Sequence, residues 1–158
     1  MSDRVPMTPG SYADLQAELK RLKSRDRLQI VKEIEIARAH GDISENAEFH
    51  AAKERQSHIE TRIRQVEDKL ARAQVIDPTG PAPDAVRFGV TVVLLDSETD
   101  EEVTYTLVGE DEADASRGLI SFNSPIARAL LGKGVDAEVK VRVPKGTREF
   151  EIREIRMG

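Results

Sequence analysis

Apolar residues recur at steps of three and four along two stretches of the first half of the chain. In the first stretch these positions are Leu15, Leu19, Leu22, Ile30, Ile34 and Ala37; in the second they are Ala52, Gln56 (the one polar member), Ile59, Ile63, Val66, Leu70 and Ala73. Such spacing places the residues on one face of a helix, so each stretch predicts an amphipathic helix. The eight-residue step from Leu22 to Ile30 shifts the heptad register by one and predicts a local change of supercoil.

The two helices are joined by a short break. Between residues 11 and 77 the chain contains no proline and a single glycine, Gly41. Thr8 as N-cap and Pro9 at the first helical position mark the start of the first helix. Because each arm carries only one narrow apolar seam, we predict a two-helix antiparallel coiled coil of roughly 45 Å, with Gly41 near its tip.

The second half follows a different pattern. Three prolines within residues 78–83 (PTGPAP) end the second helix and form a stiff linker. Beyond them apolar and polar residues alternate, which predicts strands around residues 90–94, 103–107, 119–122, 139–143 and 150–155. A short helix from Pro125 to Leu131, capped by Ser124, interrupts the strands.

These patterns predict an α+β protein in two parts. A coiled-coil hairpin with an acidic tip occupies residues 1–77, and a Pro-rich linker occupies residues 78–84. A small twisted β-sheet domain with one short helix occupies residues 85–158.

Composition narrows the class of protein. The 158 residues are 39% hydrophobic and 34% charged, which is typical of a soluble globular protein. No stretch approaches the roughly 20 apolar residues that span a bilayer, and the N-terminus lacks the apolar core of a signal peptide. We therefore expect a cytoplasmic protein without a membrane partner. The absence of cysteine excludes disulfides and thiolate metal sites.

Charge is divided unevenly along the chain. The net charge is −5; residues 1–77 carry 14 basic and 14 acidic side chains, and residues 78–158 carry 10 and 15. The acidic runs at residues 96–102 and 110–114 are typical of solvated loops. Broad, non-specific binding to duplex nucleic acid requires a basic face that displaces counterions, so this balance argues against it.

The acidic tip is the strongest candidate for chemistry. Asp42, Glu45 and Glu48 lie in a segment, residues 39–52, that contains no Lys or Arg. If Asp42 caps the second helix, it forms a capping box with Glu45. If Ser44 is the N-cap instead, both carboxylates project into solvent, where two hard oxygen donors suit Mg²⁺ but are too few to hold a catalytic ion alone.

The segment ARAHGDISENAEFHAA (residues 37–52) resembles the tip signature of the Gre family of bacterial transcript cleavage factors. Four further segments match family motifs in order: MTPGSYADLQAEL, AQVID, GEDEAD and ISFNSPIARALLGK. The resemblance covers nearly the whole chain and is closer to the GreA type. It implies a coiled coil followed by an FKBP-like domain.

The resemblance also implies a mechanism. Asp42 and Glu45 would enter the secondary channel of bacterial RNA polymerase and act as catalytic and metal-binding residues. They would help hold the second Mg²⁺ of the polymerase, an ion that the free protein does not bind stably. The polymerase would then cut the nascent RNA near its 3′ end in a backtracked complex. The chain would act as a monomer and would be no enzyme by itself.

Other residues near the tip gain expected roles from the same resemblance. Arg38 and Lys53 would form a basic spot near the displaced RNA. Phe49 replaces the tyrosine that is usual in the family, and we expect it to pack on Ile43 or Ile36, although stacking on RNA is an alternative. We interpret Glu48 as a solvated first-turn acid.

The second domain is expected to dock on the polymerase. The segment Asn123, Ser124, Pro125 and Ile126 matches the family region that meets the rim of the secondary channel. Ser124 can cap the short helix and dock at the same time.

Three other functions compete with this interpretation. A Gre-like inhibitor would occupy the channel without promoting cleavage, but this tip keeps the ordinary GDxSEN pattern. A prolyl isomerase would need an aromatic-lined pocket, and the second domain has only four aromatic residues. A self-sufficient nuclease would need further metal ligands, which His40, His50 and His58 are too widely spaced to provide.

Overall fold

The computed structural model describes residues 4–42 and 45–158. Its helices are α1 (Pro9–Arg21), α2 (Arg27–Arg38), α3 (Ala47–Arg72) and α4 (Pro125–Leu130). Its strands are β1 (Val5–Met7), β2 (Ala73–Val75), β3 (Val90–Asp96), β4 (Glu102–Val108), β5 (Leu119–Ser121), β6 (Glu138–Val143) and β7 (Gly146–Met157). The predicted α+β class, a helical hairpin followed by a sheet with one short helix, is confirmed.

The residues pack into two compact units. One contains Tyr12–Ala73, and the other contains Val5–Ser11 together with Gln74–Gly158. Within the second unit Ile76 N–H donates to the Met7 carbonyl at 2.8 Å, next to the small β1–β2 sheet. The segment Val5–Ser11 therefore belongs with the sheet, whereas the sequence-based division counted it with the hairpin.

The hairpin buries the predicted seam. Its buried members are Leu15, Leu22, Ile30, Ile34, Ala37, Ala52, Ile63 and Val66. Thr8 Oγ1 accepts from Ser11 N–H at 3.2 Å, which confirms the predicted start of α1. Between α1 and α2 lies a π-helical segment, Leu22–Asp26, in which Arg27 N–H donates to the Leu22 carbonyl.

This π-helical segment explains the eight-residue step in the apolar pattern. A π turn closes its hydrogen bond over five residues instead of four and so absorbs one extra residue. Leu22 and Ile30 can therefore both face the seam, and both are buried. The sequence predicted that this extra residue would change the supercoil locally. The structure instead accommodates it by widening the helix at the π turn.

Ion pairs between the arms follow the antiparallel register. The donor–acceptor distances are 2.7 Å for Lys23–Glu67, 2.8 Å for both Arg27–Glu60 and Arg55–Glu33, and 2.6 Å for Arg62–Glu18. α3 alone has 26 residues and so extends about 39 Å at 1.5 Å per residue.

The second unit is built on a curled five-stranded sheet in the order β5-β4-β3-β7-β6. Its pairs are antiparallel except β4–β5, which is parallel. The core formed by the inner face of the sheet and α4 includes Val90, Val92, Leu94, Leu107, Ala127, Leu130, Phe150 and Ile152. All five predicted strands and the short helix are confirmed. In the part of the chain that the structure describes, no helix has the length and apolarity to cross a membrane.

Candidate functional site at the hairpin tip

The turn between the arms begins where the backbone hydrogen bonds of α2 change from helical spacing to a tighter turn. Ala39 N–H donates to the Glu35 carbonyl at 3.2 Å, and His40 N–H donates to the Ala37 carbonyl at 3.1 Å. Gly41 follows with φ +121°, a conformation that favours glycine. A Cβ at this position would meet no heavy atom within 4 Å, so the backbone angle and not the available space selects glycine.

Asn46 is the N-cap of α3. Its Oδ1 accepts from Phe49 N–H at 3.0 Å, and its Nδ2 donates to the Ala37 carbonyl at the end of α2. Of the two alternatives left open by the sequence, the one in which Asp42 caps this helix in a capping box with Glu45 is therefore wrong. The alternative cap, Ser44, lies outside the described residues.

Asp42 and Glu45 both precede the cap and are exposed. They line one concave surface together with His40, Asn46, Ala47 and Glu48. The structure thus brings the two predicted carboxylates to the same surface and does not use them to cap α3. Carboxylate oxygens are the donors that Mg²⁺ prefers.

Two carboxylates supply only part of the ligand set of an Mg²⁺ ion. Across residues 4–42 and 45–158, no group of three or more His, Asp or Glu side chains is placed to hold a metal ion. Mg²⁺ requires six ligands in octahedral geometry. A partner would have to supply most of them.

Phe49 closes the apolar seam beneath the tip. It is 9% exposed and belongs to a buried cluster with Ile30, Ile34, Ala37 and Ala52. The predicted packing role is confirmed, but Ile36, one of the two predicted partners, is 61% exposed and is not part of this cluster. The other proposed partner, Ile43, lies outside the described residues.

Two basic residues lie behind the acidic surface, and both are exposed. The guanidinium carbon of Arg38 lies 5.9 Å from the Phe49 ring centroid, a cation–π contact. Lys53 Nζ donates to Gln56 Oε1 at 3.1 Å. Their role, and that of Phe49, near RNA stays a prediction. Glu48 is exposed in the first turn of α3, as a solvated acid there would be.

Ser124 caps α4 as predicted. Its Oγ accepts from Ala127 N–H at 3.3 Å and donates to the Ser121 carbonyl at 2.7 Å. Asn123 Nδ2 donates to Glu110, which fixes the turn before the helix. Pro125 is exposed, and Ile126 is half-buried against the core.

An apolar groove of about 280 Å³ adjoins this segment. Its lining includes Pro125, Ile126, Tyr105, Val141 and Phe150. The other two aromatic residues of this unit, Phe88 and Phe122, pack edge-to-face with ring centroids 6.2 Å apart. Docking by the segment 123–126 stays a prediction.

Asn46 is the residue of the tip that the sequence analysis missed. Its signal is present in the sequence, because asparagine is a preferred N-cap and the helical pattern can begin directly after it. Asp42 and Ser44 offered the same chemistry a few residues earlier. Periodicity alone does not choose among three polar residues in a turn.

Family models cover almost the whole chain. The model "Transcription elongation factor, N-terminal" matches residues 5–75, and "Transcription elongation factor, GreA/GreB, C-term" matches residues 81–157. Transcription elongation factor GreA of Trichlorobacter lovleyi is 54% identical over 99% of both chains. That of Anaeromyxobacter sp. (strain K) is 59% identical over 96% of this chain and 92% of its own.

Among solved structures, the chain is similar to GreA factor homolog 1 (Gfh1) of Thermus thermophilus. The identity is 30%, with 96% of this chain and 98% of that chain covered and a TM-score of 0.44. The two family models and the full-length relatives above 50% identity establish the assignment. The chain belongs to the GreA/GreB family of transcription elongation factors.

Proposed function

We propose that this elongation factor stimulates the RNA polymerase of its own cell to cleave backtracked nascent RNA. The observation that carries the proposal is the placement of Asp42 and Glu45. Both carboxylates are exposed on one concave surface at the end of a long hairpin, and neither caps α3. A narrow two-helix arm can enter a channel that a globular domain cannot.

The tip carboxylates act by adding negative oxygen ligands to an active centre that the polymerase already possesses. Mg²⁺ held jointly there would supply the activation of water and the stabilisation of the leaving oxygen. Asp42 and Glu45 would be the residues of this chain that help hold the ion. The phosphodiester bond is cut near the 3′ end of the nascent RNA, so the chain is a cofactor of the polymerase and not an enzyme by itself.

The remaining predicted residues serve binding. Arg38 and Lys53 are exposed cations behind the acidic surface and would contact phosphates of the displaced RNA. The segment from Asn123 to Ile126 would dock on the rim of the channel, beside the apolar groove. The factor would act in the cytoplasm as a monomer, since one hairpin fills one channel.

The test is an RNA-cleavage assay on stalled, backtracked elongation complexes assembled with purified polymerase. Adding the factor with Mg²⁺ should shorten the RNA from its 3′ end much faster than the polymerase does alone. The factor without polymerase should leave the same RNA intact. Hydrolysis of free RNA by the factor would contradict the cofactor role.

The same assay distinguishes an inhibitory channel binder. Such a protein would compete for the polymerase and slow transcription without shortening the RNA. The exposed tip carboxylates favour stimulation, because a blocking role does not require two acids on one surface.

A further inference from the structure

We infer that Asn46 is a positioning residue for the tip carboxylates, an inference that rests on the proposed function. One side chain bonds to both arms at the point where they meet. Its carbonyl oxygen accepts from Phe49 N–H in the first turn of α3, and its amide nitrogen donates to the Ala37 carbonyl in the last turn of α2. The segment that carries Asp42 and Glu45 lies between these two anchors.

Asparagine suits this position because its amide is a donor and an acceptor at the same time. The end of α2 presents carbonyls that can accept a further hydrogen bond and a partial negative charge, and the start of α3 presents N–H groups that need acceptors and a partial positive charge. The Asn46 amide matches both. Serine or aspartate can cap α3 equally well, but an ionised aspartate is an acceptor only, and a serine hydroxyl is too short to bridge the two helix ends.

The bridge formed by Asn46 between Phe49 N–H and the Ala37 carbonyl lies close in sequence to the two carboxylates. Glu45 is the neighbour of Asn46 in sequence, and both line the concave surface that Asp42 also lines. The Ala37 carbonyl accepts from His40 N–H as well, so the same atom anchors the start of the turn. Breaking the Asn46–Ala37 bond would free the turn from one helix end while α3 keeps its cap. Asp42 and Glu45 would then lie on a turn held by one hydrogen bond fewer.

The decisive variant is Asn46→Ser, which keeps the cap and removes the bridge. Its matched control is Ile34→Val, which trims the buried cluster under the tip without touching either hydrogen bond. Cleavage of RNA in backtracked complexes is measured while the factor and MgCl₂ are titrated separately, and thermal unfolding of each variant is recorded.

We expect Asn46→Ser to lower the maximal cleavage rate at saturating factor by about tenfold, since small misplacements of catalytic groups are costly. The MgCl₂ concentration for half-maximal cleavage should rise, while the factor concentration for half-maximal cleavage stays unchanged. Ile34→Val should match the wild type in all three quantities. In the full-length wild type, the Asn46 side-chain amide protons should exchange more slowly than those of a free amide.

Each contrary result has a distinct meaning. If the wild type shortens RNA and Asn46→Ser does so equally at every MgCl₂ concentration, the positioning role is wrong and the proposed function stands. If Asn46→Ser is unfolded at the assay temperature, Asn46 serves stability and the positioning role is likewise wrong. If the wild type shortens no RNA, the proposed function fails and takes this inference with it.

Discussion

Glu18 and Arg62 form a two-pronged ion pair across the arms of the hairpin. Arg62 Nε donates to Oε2 at 2.6 Å, and Nη2 donates to Oε1 at 2.7 Å. The two side chains are only 23% and 35% exposed, against 37% and 56% for the single-bonded pair Glu33–Arg55. Bidentate geometry and partial burial both strengthen an ion pair.

A double-mutant cycle should therefore separate the two pairs. With Glu18→Gln and Arg62→Gln we expect a coupling free energy of about 1 kcal/mol, the upper end for exposed pairs. The cycle on Glu33 and Arg55 should give a smaller value. Urea unfolding followed by helical circular dichroism measures both. Equal coupling energies would show that the second hydrogen bond adds nothing.

Acid should destabilise the hairpin. Hydrogen bonds from arginines lower the pKa of three of its carboxyl groups: Glu18 through Arg62, Glu33 through Arg55 and Glu60 through Arg27. A carboxyl whose pKa is lower in the folded state stabilises it above the unfolded pKa, about 4.3 for glutamate, and loses that effect as the pH falls toward the folded pKa. The free energy of unfolding should be level from pH 7 to about pH 5 and fall below that. Glu18→Gln should flatten the decline, and an unaltered slope would contradict this assignment.

The sheet unit has its own acid-sensitive contact. Asp96 is buried, accepts from Arg148 Nη2 at 2.7 Å and accepts from Glu98 N–H at 2.9 Å in the turn after β3. The hydrogen bond from Arg148 has the largest effect in lowering the pKa of Asp96, and the bond from Glu98 N–H lowers it further. Asp96→Asn should lower the thermal midpoint at pH 7 and have little effect below the Asp96 pKa. Thermal unfolding of both proteins at steps from pH 7 down to pH 2 tests this, and a loss that does not shrink as the pH falls would point to shape instead of charge.

Long periodic elements were predictable because many residues in each element repeat the same apolar spacing. The seams of α2 and α3, and the alternation in β3 and β6, each repeat over several turns or residue pairs. Even the irregularity between Leu22 and Ile30 was visible as an extra residue, although its solution as a π turn was not. The strands β1 and β2 have three residues each, and in the sequence they are separated by the whole hairpin. No local pattern therefore predicts them.

The tip was predictable in composition but not in geometry. A segment of acids around one glycine identified Asp42 and Glu45 as candidates, and the structure places both on one surface. The cap was misassigned because Asp42, Ser44 and Asn46 have similar capping chemistry. What selects Asn46 is the carbonyl of Ala37 on the other arm, a partner nine residues away that only the folded hairpin brings close.

Substituting the tip carboxylates should separate catalysis from folding. Because Asn46 caps α3, Asp42→Asn and Glu45→Gln should leave the hairpin folded while abolishing stimulated RNA cleavage. Binding to polymerase, measured by competition with labelled wild type, should remain. Glu48→Gln is the matched control, since it removes a neighbouring charge on the same surface, and it should retain most of the stimulation. Loss of stimulation in all three variants would indicate general charge and not specific ligands.

Phe49 should matter for stability and Ile36 should not. Phe49→Ala empties part of the cluster with Ile34 and Ala52 and should cost about 3 kcal/mol. Ile36→Ala changes a side chain that is 61% exposed and should cost little. Phe49→Tyr adds a single hydroxyl and tests whether it finds room at the buried ring. Urea unfolding gives all three values. A stable Phe49→Ala protein would mean that the ring does not hold the tip.

Docking can be tested most cleanly at Pro125. Ile126 is half-buried against the core, so a charge there would disturb folding and binding together. Pro125 is exposed at the first position of α4, where glutamate is well tolerated beside the Ser124 cap. Pro125→Glu should therefore keep the thermal midpoint and weaken polymerase binding by placing a charge at the mouth of the apolar groove. Cleavage should need more factor to reach half its maximum, with the same maximal rate at saturation.

Val135→Glu is the matched control, because it also places a glutamate at an exposed apolar position of the same unit, outside residues 123–126. Equal affinity of the two folded variants would remove this segment from the interface.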